Sequence, residues 1–376
     1  MTDLCRLLQS CPAPEGPATQ RGSHTLIDHR SIPGATGEYL VPRGSLRVAV
    51  RPLVAYHRLR PRGPRAARLA VAGAVGLGLG RFVGPRRVVP TSPGSSLLLD
   101  HLADRLGEPQ LSFAGSARPC REFVTPVLQL LRPDGRTVAF AKLGWDPVTD
   151  AMVDAEADAL ACIAGRPVDG LRVPEVVWHG RWNDRSVLVT APLPAAVRRR
   201  GSRAPIPIEP LRALAAVDGP VASMPLRASA HWAAAWETAE PTGDRRLTAR
   251  LDALEAAAGE VEFEFGRGHG DWVEWNLATL DRDLYAWDWA YSAPTAPFGL
   301  DVLHHPYLRY RVVGGLDAET SARRALADAA PSLRELGVGP ELHAPLVALL
   351  QLELDLREVR AQQRRAAPTV AEPRPS

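Results

Sequence analysis

The chain has 376 residues, with 45 Lys plus Arg against 42 Asp plus Glu and a formal net charge of +3. Hydrophobic residues make up 45% and charged residues 23%, a globular balance that excludes wholesale disorder; the small net charge argues against a molecule built wholly as a nucleic-acid binder. The longest apolar run, Leu69 to Gly80, has 12 residues and four glycines, short of the ~20 that a membrane-spanning helix needs.

Of the 45 basic residues, one is lysine, Lys142, and the other 44 are arginine. Asparagine occurs only as Asn183 and Asn276. A chain that uses arginine everywhere else has kept the compact ammonium at one position, and the two side chains are not interchangeable where a point charge is needed. The four cysteines, Cys5, Cys11, Cys120 and Cys162, show neither C-x-x-C metal spacing nor a dense disulfide framework, so a reducing cytoplasm is expected. No basic segment followed by an apolar core marks a signal peptide.

In chain order, residues 1–100 form an N-terminal extension. Its first 40 residues, rich in Pro, Gly, Ser and Thr, read as a loosely ordered leader. From Val41 to Leu99 there is no acidic residue, and the stretch holds eleven arginines. It reads either as a contact for an anionic partner or a membrane surface, or as a solvated basic face around one buried helix, Ala66 to Leu79. The second reading is preferred, because the aromatic interleaving of a nucleic-acid platform is absent.

From Gln110 the pattern turns to strands: Gln110–Ala114, Glu122–Leu131 and Thr137–Leu143, the last two joined by Pro133-Asp134-Gly135 as a hairpin turn. A helix, Pro147–Ala164, follows with apolar residues at helical spacing, then strands at Val173–Trp178 and Ser186–Thr190. Residues 101–194 are thus expected to form a small lobe with a five-stranded antiparallel sheet and one helix. Residues 195–365 read as a mainly helical lobe, and 366–376 as a low-complexity tail. The fold class is α+β.

The chemistry concentrates in Gly268 to Asp301. His269-Gly270-Asp271 is followed by Asn276 five residues after the Asp, and Asp288 ends an apolar strand twelve residues later. A hairpin with its turn at Asp281 to Asp283 would bring Asp271, Asn276 and Asp288 to one end. Two carboxylates and an amide oxygen there suit Mg²⁺, which takes few protein ligands alongside phosphates. Phosphoryl transfer from ATP asks for this order: a strand lysine for the phosphates (Lys142), a helix acid to orient it (Glu156), an Asp for the attacking hydroxyl, then an Asn and an Asp for metal. Asp154 and Asp158 lie on the same helix as Glu156 and are its rivals for the lysine. Arg118 and Arg121, near the loop after the first strand, are read as solvated, with a phosphate contact as the alternative for either.

These residues resemble the aminoglycoside phosphotransferase and choline kinase group of the protein-kinase-like fold, with its H-G-D-x-x-x-x-N loop and following W-D-W strand. The resemblance spans roughly Gln110 to Tyr310. It implies two lobes, ATP and Mg²⁺ as cofactors, and transfer of phosphate to a hydroxyl of a small molecule. It implies Asp271, Asn276 and Asp288 as catalytic residues, Asn276 and Asp288 as metal ligands, and Lys142 and Glu156 at the nucleotide. It further implies a hinge from Val189 to Leu193 that meets adenine, including Thr190 and Leu193, with His269 and Asp301 supporting the catalytic loop. The loop after the first strand has a single glycine, Gly115, which leaves Ser116 and nearby amides as phosphate contacts. No nucleic-acid partner is implied. Ten acids between His231 and Asn276, with Trp232, Trp236, Trp272 and Trp275, would suit a sugar or amino-sugar acceptor; they read equally as a wet helix face and core. The alternative is a non-catalytic kinase-like module that binds nucleotide and docks an anionic partner or a membrane surface.

Overall fold

The computed structural model describes Leu8 and residues 27–34, 37–89, 97–117, 123–201 and 204–366. Arg118, Arg121, Cys5, Cys11, Cys120 and the tail beyond Ala366 lie outside these residues. Contacts divide the chain into two compact units, Met1–Ala157 with Pro174–Arg199, and Asp158–Val173 with Arg200–Ser376.

The first unit is built on one eight-stranded sheet. The extension supplies β1 (Ile27–Gly34), β2 (Gly37–Pro42) and β3 (Arg86–Val89), with the helices α1 (Leu46–Val54) and α2 (Arg62–Gly76) between them. After α3 (Leu98–Leu106) come β4 (Ser112–Ala117), β5 (Val127–Leu131), β6 (Thr137–Leu143), α4 (Pro147–Gly165), β7 (Val176–Trp182) and β8 (Arg185–Thr190). The order across the sheet is β3-β1-β2-β4-β5-β6-β8-β7, and every neighbouring pair is antiparallel. The five strands read from the sequence are β4 to β8. The other three fall in residues 27–89, which composition assigned to a leader and a basic face. Pro33, Gly34 and the interspersed charges give β1 no apolar alternation, so only pairing with β2 and β3 makes it a strand.

Local chemistry sets the ends of these elements. Ser45 caps α1 by accepting from the Val48 N–H. At the β5–β6 turn Gly135 sits at φ 80°, and Asp134 Oδ1 accepts the Arg136 N–H at 2.7 Å. Asp146 opens α4, its Oδ1 accepting from the N–H and hydroxyl of Thr149. One apolar core runs through Leu98, Leu102, Phe113, Leu128, Leu130, Leu143 and Val187, and a smaller one joins Ile32, Val41, Leu53 and Ala72.

His29 ties β1 to β4, two strands away. Its buried Nε2–H donates to the Phe113 carbonyl at 2.7 Å, and burial pushes its pKa down to about 4 from 6.5. The fold therefore holds this imidazole neutral, so the stability it contributes is complete above pH 6.5 and is lost as pH falls toward 4. The loss reaches about 3 kcal/mol once the ring is protonated. His29→Gln keeps a donor without titrating, so its melting temperature should fall less than the wild type's across that interval. Parallel pH curves for the two proteins would contradict this.

The second unit is mainly helical: α5 (Ile208–Ala215), α6 (Ala230–Ala239), α7 (Arg245–Ala258), α8 (Leu300–Leu308), α9 (Ala318–Leu336) and α10 (His343–Ala366). Two small β structures sit among them. β9 (Ala222–Pro225), β10 (Glu262–Gly268) and β13 (Ala293–Pro297) form one sheet; β11 (Leu277–Leu280) and β12 (Asp283–Ala286) form a hairpin against the short parallel strand Leu171–Arg172. The α+β class read from the sequence, an antiparallel-sheet unit and a helical unit, is what the structure shows. Among the described residues no helix is long and apolar enough to cross a membrane.

Candidate functional site

Two groups of side chains, one in each unit, carry the candidate chemistry. In the first unit Lys142 lies on β6 between Val127 of β5 and Leu188 of β8. Its Nζ donates to Glu156 Oε2 on α4 at 2.5 Å, and Glu156 is buried. The rival acids on α4 are spoken for or turned away. Asp154 accepts from His179, Arg181 and the Ser186 hydroxyl, Asp150 accepts the Ser186 N–H at 2.8 Å, and Asp158 is exposed. Ser116 is half-buried on β4 opposite Tyr39 of β2. Thr190 ends β8 and pairs with Phe140. The Leu193 carbonyl accepts the hydroxyl of Tyr56 at 3.0 Å, and Tyr56 packs edge-on to Phe140 with ring centroids 5.5 Å apart. Sequence reasoning missed Tyr56, because it comes from the extension rather than from the segment that carries the resemblance.

In the second unit the sequence His269-Gly270-Asp271 leaves the end of β10 as a loop held from four sides. Asp301, in the first turn of α8, accepts the N–H of His269 at 2.7 Å and of Gly270 at 2.9 Å. The Gly268 carbonyl accepts from Ser292, and the Gly270 carbonyl from Arg357 of α10. His269 is fully buried; its Nδ1 accepts the Asp271 N–H and its Nε2–H donates to the Trp287 carbonyl, which fixes one neutral tautomer. Gly270 is required here, since it sits at φ 78° and a Cβ would lie 2.1 Å from the Tyr291 carbonyl oxygen.

The β11–β12 hairpin completes the group. Leu277 pairs with Ala286, and the Trp287 N–H donates to the Asn276 carbonyl at 3.2 Å, so Asn276 stands beside the residue before Asp288. The turn passes through Asp281 at φ 54°. The Asn276 amide donates to Asp271 Oδ2 at 2.8 Å and to the Asp271 carbonyl at 3.1 Å. Burial, then the charge of Asp288, pushes the Asp271 carboxyl up to about 6. Asp288 adopts the left-handed region, φ 72°, uncommon for a residue other than glycine and tolerated by Asp and Asn.

This donor set fits a hard cation. With its N–H atoms turned to Asp271, Asn276 keeps Oδ1 as an oxygen ligand, and Asp288 adds a carboxylate. Two protein oxygens suit Mg²⁺, which retains waters and takes phosphate oxygens. Among the described residues no cluster of three His, Cys, Asp or Glu side chains forms a metal site.

Two further residues bear on Asp271. Arg357 stacks on the Tyr291 ring at 4.2 Å, pairs with Glu353, and opposes the rise in the Asp271 pKa. His304, buried and held neutral by that burial, brings Nε2 to 3.8 Å from Asp271 Oδ1. Neither carried a sequence signal, since each depends on the packing of α8 or α10. Some of the acids and tryptophans around His231 to Asn276 have structural partners, while Glu237, Glu240, Asp252, Glu262 and Glu264 are exposed. Trp232 and Trp272 are core, the indole N–H groups of Trp232 and Trp236 both donate to Glu255, Asp244 caps α7 and Glu260 pairs with Arg227. Trp275 alone of the four tryptophans is exposed.

Asp301→Ala should strip the acceptor from the buried His269 N–H, costing about 1–3 kcal/mol, and from the part-buried Gly270 N–H. The midpoint of denaturant unfolding measures this; an unchanged midpoint would show that the loop does not depend on Asp301.

No family model and no curated protein matches the chain. Solved structures similar to it include the GDP and kanamycin complex of APH(2")-IIia, at 14% identity and TM-score 0.40, over 68% of this chain and 89% of that one. An apo thermostable mutant of aminoglycoside phosphotransferase APH(4)-Ia aligns at 14% identity and TM-score 0.46, over 70% and 95%. An aminoglycoside-3'-phosphotransferase of type VIII aligns at 19% identity and TM-score 0.42, over 67% and 99%. The resemblance read from the sequence is to the same group of proteins. At these values the functional reading rests on the chain's own side chains.

Proposed function

We propose that the protein is a small-molecule kinase that transfers the γ-phosphoryl group of Mg²⁺-ATP to a hydroxyl of a sugar or amino-sugar compound. The observation that carries this reading is the grouping of Asp271, Asn276 and Asp288 around one braced loop. Its supports are the sole lysine paired to a buried glutamate and the order of these residues along the chain.

In this reading Lys142, oriented by Glu156, holds the α- and β-phosphates. Asp271 accepts the hydrogen bond of the acceptor hydroxyl and takes its proton as phosphate transfers; a carboxylate with a pKa near 6 suits a base at neutral pH better than an unperturbed one. Asn276 orients Asp271 through its amide and offers Oδ1 to the metal, and Asp288 offers its carboxylate. Bound Mg²⁺ neutralises charge on the phosphate oxygens. The γ-phosphorus–oxygen bond to the β-phosphate breaks as the acceptor oxygen–phosphorus bond forms, giving ADP and a phosphomonoester. Ser116, Thr190 and Leu193 line the nucleotide side, with the hinge backbone meeting adenine. His269 and Asp301 hold the loop, and the exposed Trp275 offers its ring to a sugar face.

A module that binds nucleotide without transfer would need Lys142, Glu156 and Asp288 but has no use for Asp271 held by Asn276. Calorimetry of the full chain with ATP, with and without Mg²⁺, tests the shared part of both readings. ATP should bind, and binding should weaken when Mg²⁺ is chelated. Absence of ATP binding in Mg²⁺ would remove both.

A further inference from the structure

Helix α2 differs from the buried helix expected of the basic stretch. Over its length only Ala72 is buried. Its inner side packs Val71, Ala72 and Val75 against Ile32, Val41 and Leu53. Its outer side presents Ala66, Leu69, Ala70 and Gly73 to solvent. The chain then exposes Leu77 by 79%, Leu79 by 46% and Phe82 by 72% within six residues, the Phe82 N–H donating to the Leu79 carbonyl. Large apolar side chains exposed together, rather than singly, mark an interaction surface.

Arginines flank this face. Arg58, Arg62 and Arg65 are exposed near the start of α2, and Arg81 lies over the Phe82 ring at 4.7 Å. Of the other seven arginines between residues 41 and 99, three have acidic partners, Arg43 and Arg86 with Asp28 and Arg87 with Glu38, while Arg60 bonds backbone carbonyls and Arg68 lies over the Tyr39 ring. The four beside the apolar face pair with no acid among the described residues, and residues 41–99 contain none. A second copy of the chain would bring two arginine-flanked faces together, and nucleic acid would leave the Leu and Phe side chains unused.

We propose that the outer face of α2 and the turn after it dock on an anionic lipid bilayer, with Leu77, Leu79 and Phe82 entering the headgroup layer and Arg58, Arg62, Arg65 and Arg81 meeting lipid phosphates. The helix lies flat on the surface, its inner side kept on the protein. Apolar insertion and arginine contact act together in this mode, and arginine stems lie along the interface while their heads stay wet. The inference does not depend on phosphoryl transfer.

The test is flotation of the full chain with phosphatidylcholine vesicles, with or without phosphatidylglycerol. The protein should float with the anionic vesicles and roughly tenfold or more less with phosphatidylcholine alone, and added salt should release it. Leu77→Glu with Phe82→Glu should abolish flotation. Arg62→Ser with Arg65→Ser and Arg81→Ser should weaken it roughly 100-fold, at roughly fivefold per arginine. All these positions are exposed, so melting temperatures should match the wild type; if one variant unfolds, the other decides. The proposal is overturned by no flotation with anionic vesicles, by equal flotation with both lipids, or by flotation that both variants retain. It is equally overturned if the glutamate variant merely dissolves a dimer.

Discussion

Asp271→Ala should bind Mg²⁺-ATP with wild-type affinity and transfer phosphate roughly 10²–10⁴-fold more slowly, the usual worth of a positioned base. The substitution is structurally mild. Asn276 keeps its bond to the Asp271 carbonyl, so no buried amide is orphaned, and a carboxylate destabilised by burial and by Asp288 is removed. Asp288 should behave differently, although it is a carboxylate of the same group. Asp288→Asn preserves a side chain tolerant of φ 72° but withdraws the charge on the metal. It should therefore lose the Mg²⁺-dependent part of ATP affinity together with transfer. Asn276→Ala should fall between the two, partly relieved by high Mg²⁺. Calorimetry with and without Mg²⁺, beside a transfer assay, separates these outcomes; equal loss of Mg²⁺-ATP affinity in the Asp271 and Asp288 variants would refute the division of roles.

Lys142→Arg should lose roughly 10²-fold or more in kcat/KM even though the charge is kept. The ammonium occupies a compact place on β6, largely shielded, at 2.5 Å from Glu156. A planar guanidinium cannot hold the same distance to Glu156 and to a phosphate at once. Arginine is the informative replacement, because alanine would withdraw the ammonium beside a buried carboxylate and destabilise the fold by itself. With arginine the melting temperature should stay within a few degrees of the wild type's while turnover falls. Near-normal turnover would remove Lys142 from the phosphate site.

The strands β4 to β8, the helix α4 and the helical character of the second unit were legible because their apolar periodicity is local. The extension was not. β1 carries Pro33, and the apolar residues of α2 fit a buried helix equally well as one whose outer face stays bare. Spacing alone brought Asp271, Asn276 and Asp288 to one end of a hairpin, since a two-strand turn at Asp281 leaves few other arrangements. Spacing could not choose among the acids of α4; the Ser186 and His179 contacts did that by occupying Asp150 and Asp154. His304, Arg357 and Tyr56 reach their places through packing of elements far apart in sequence, which no local pattern encodes. The acidic count between His231 and Asn276 could not separate an acceptor rim from a wet helix face, because roles such as the Asp244 cap, the indole bonds to Glu255 and the Glu260 pair depend on packing.

The central claim is phosphoryl transfer that depends on Asp271. The most direct measurement is a single-turnover reaction of the full chain with γ-labelled ATP, Mg²⁺ and a pool of small hydroxylated metabolites, run beside Asp271→Ala. Label should move to an acceptor as an alkali-stable phosphomonoester with the wild type and be reduced roughly 10²–10⁴-fold with the variant. Tight ATP binding with no labelled product from the wild type, or equal product from both proteins, would contradict it.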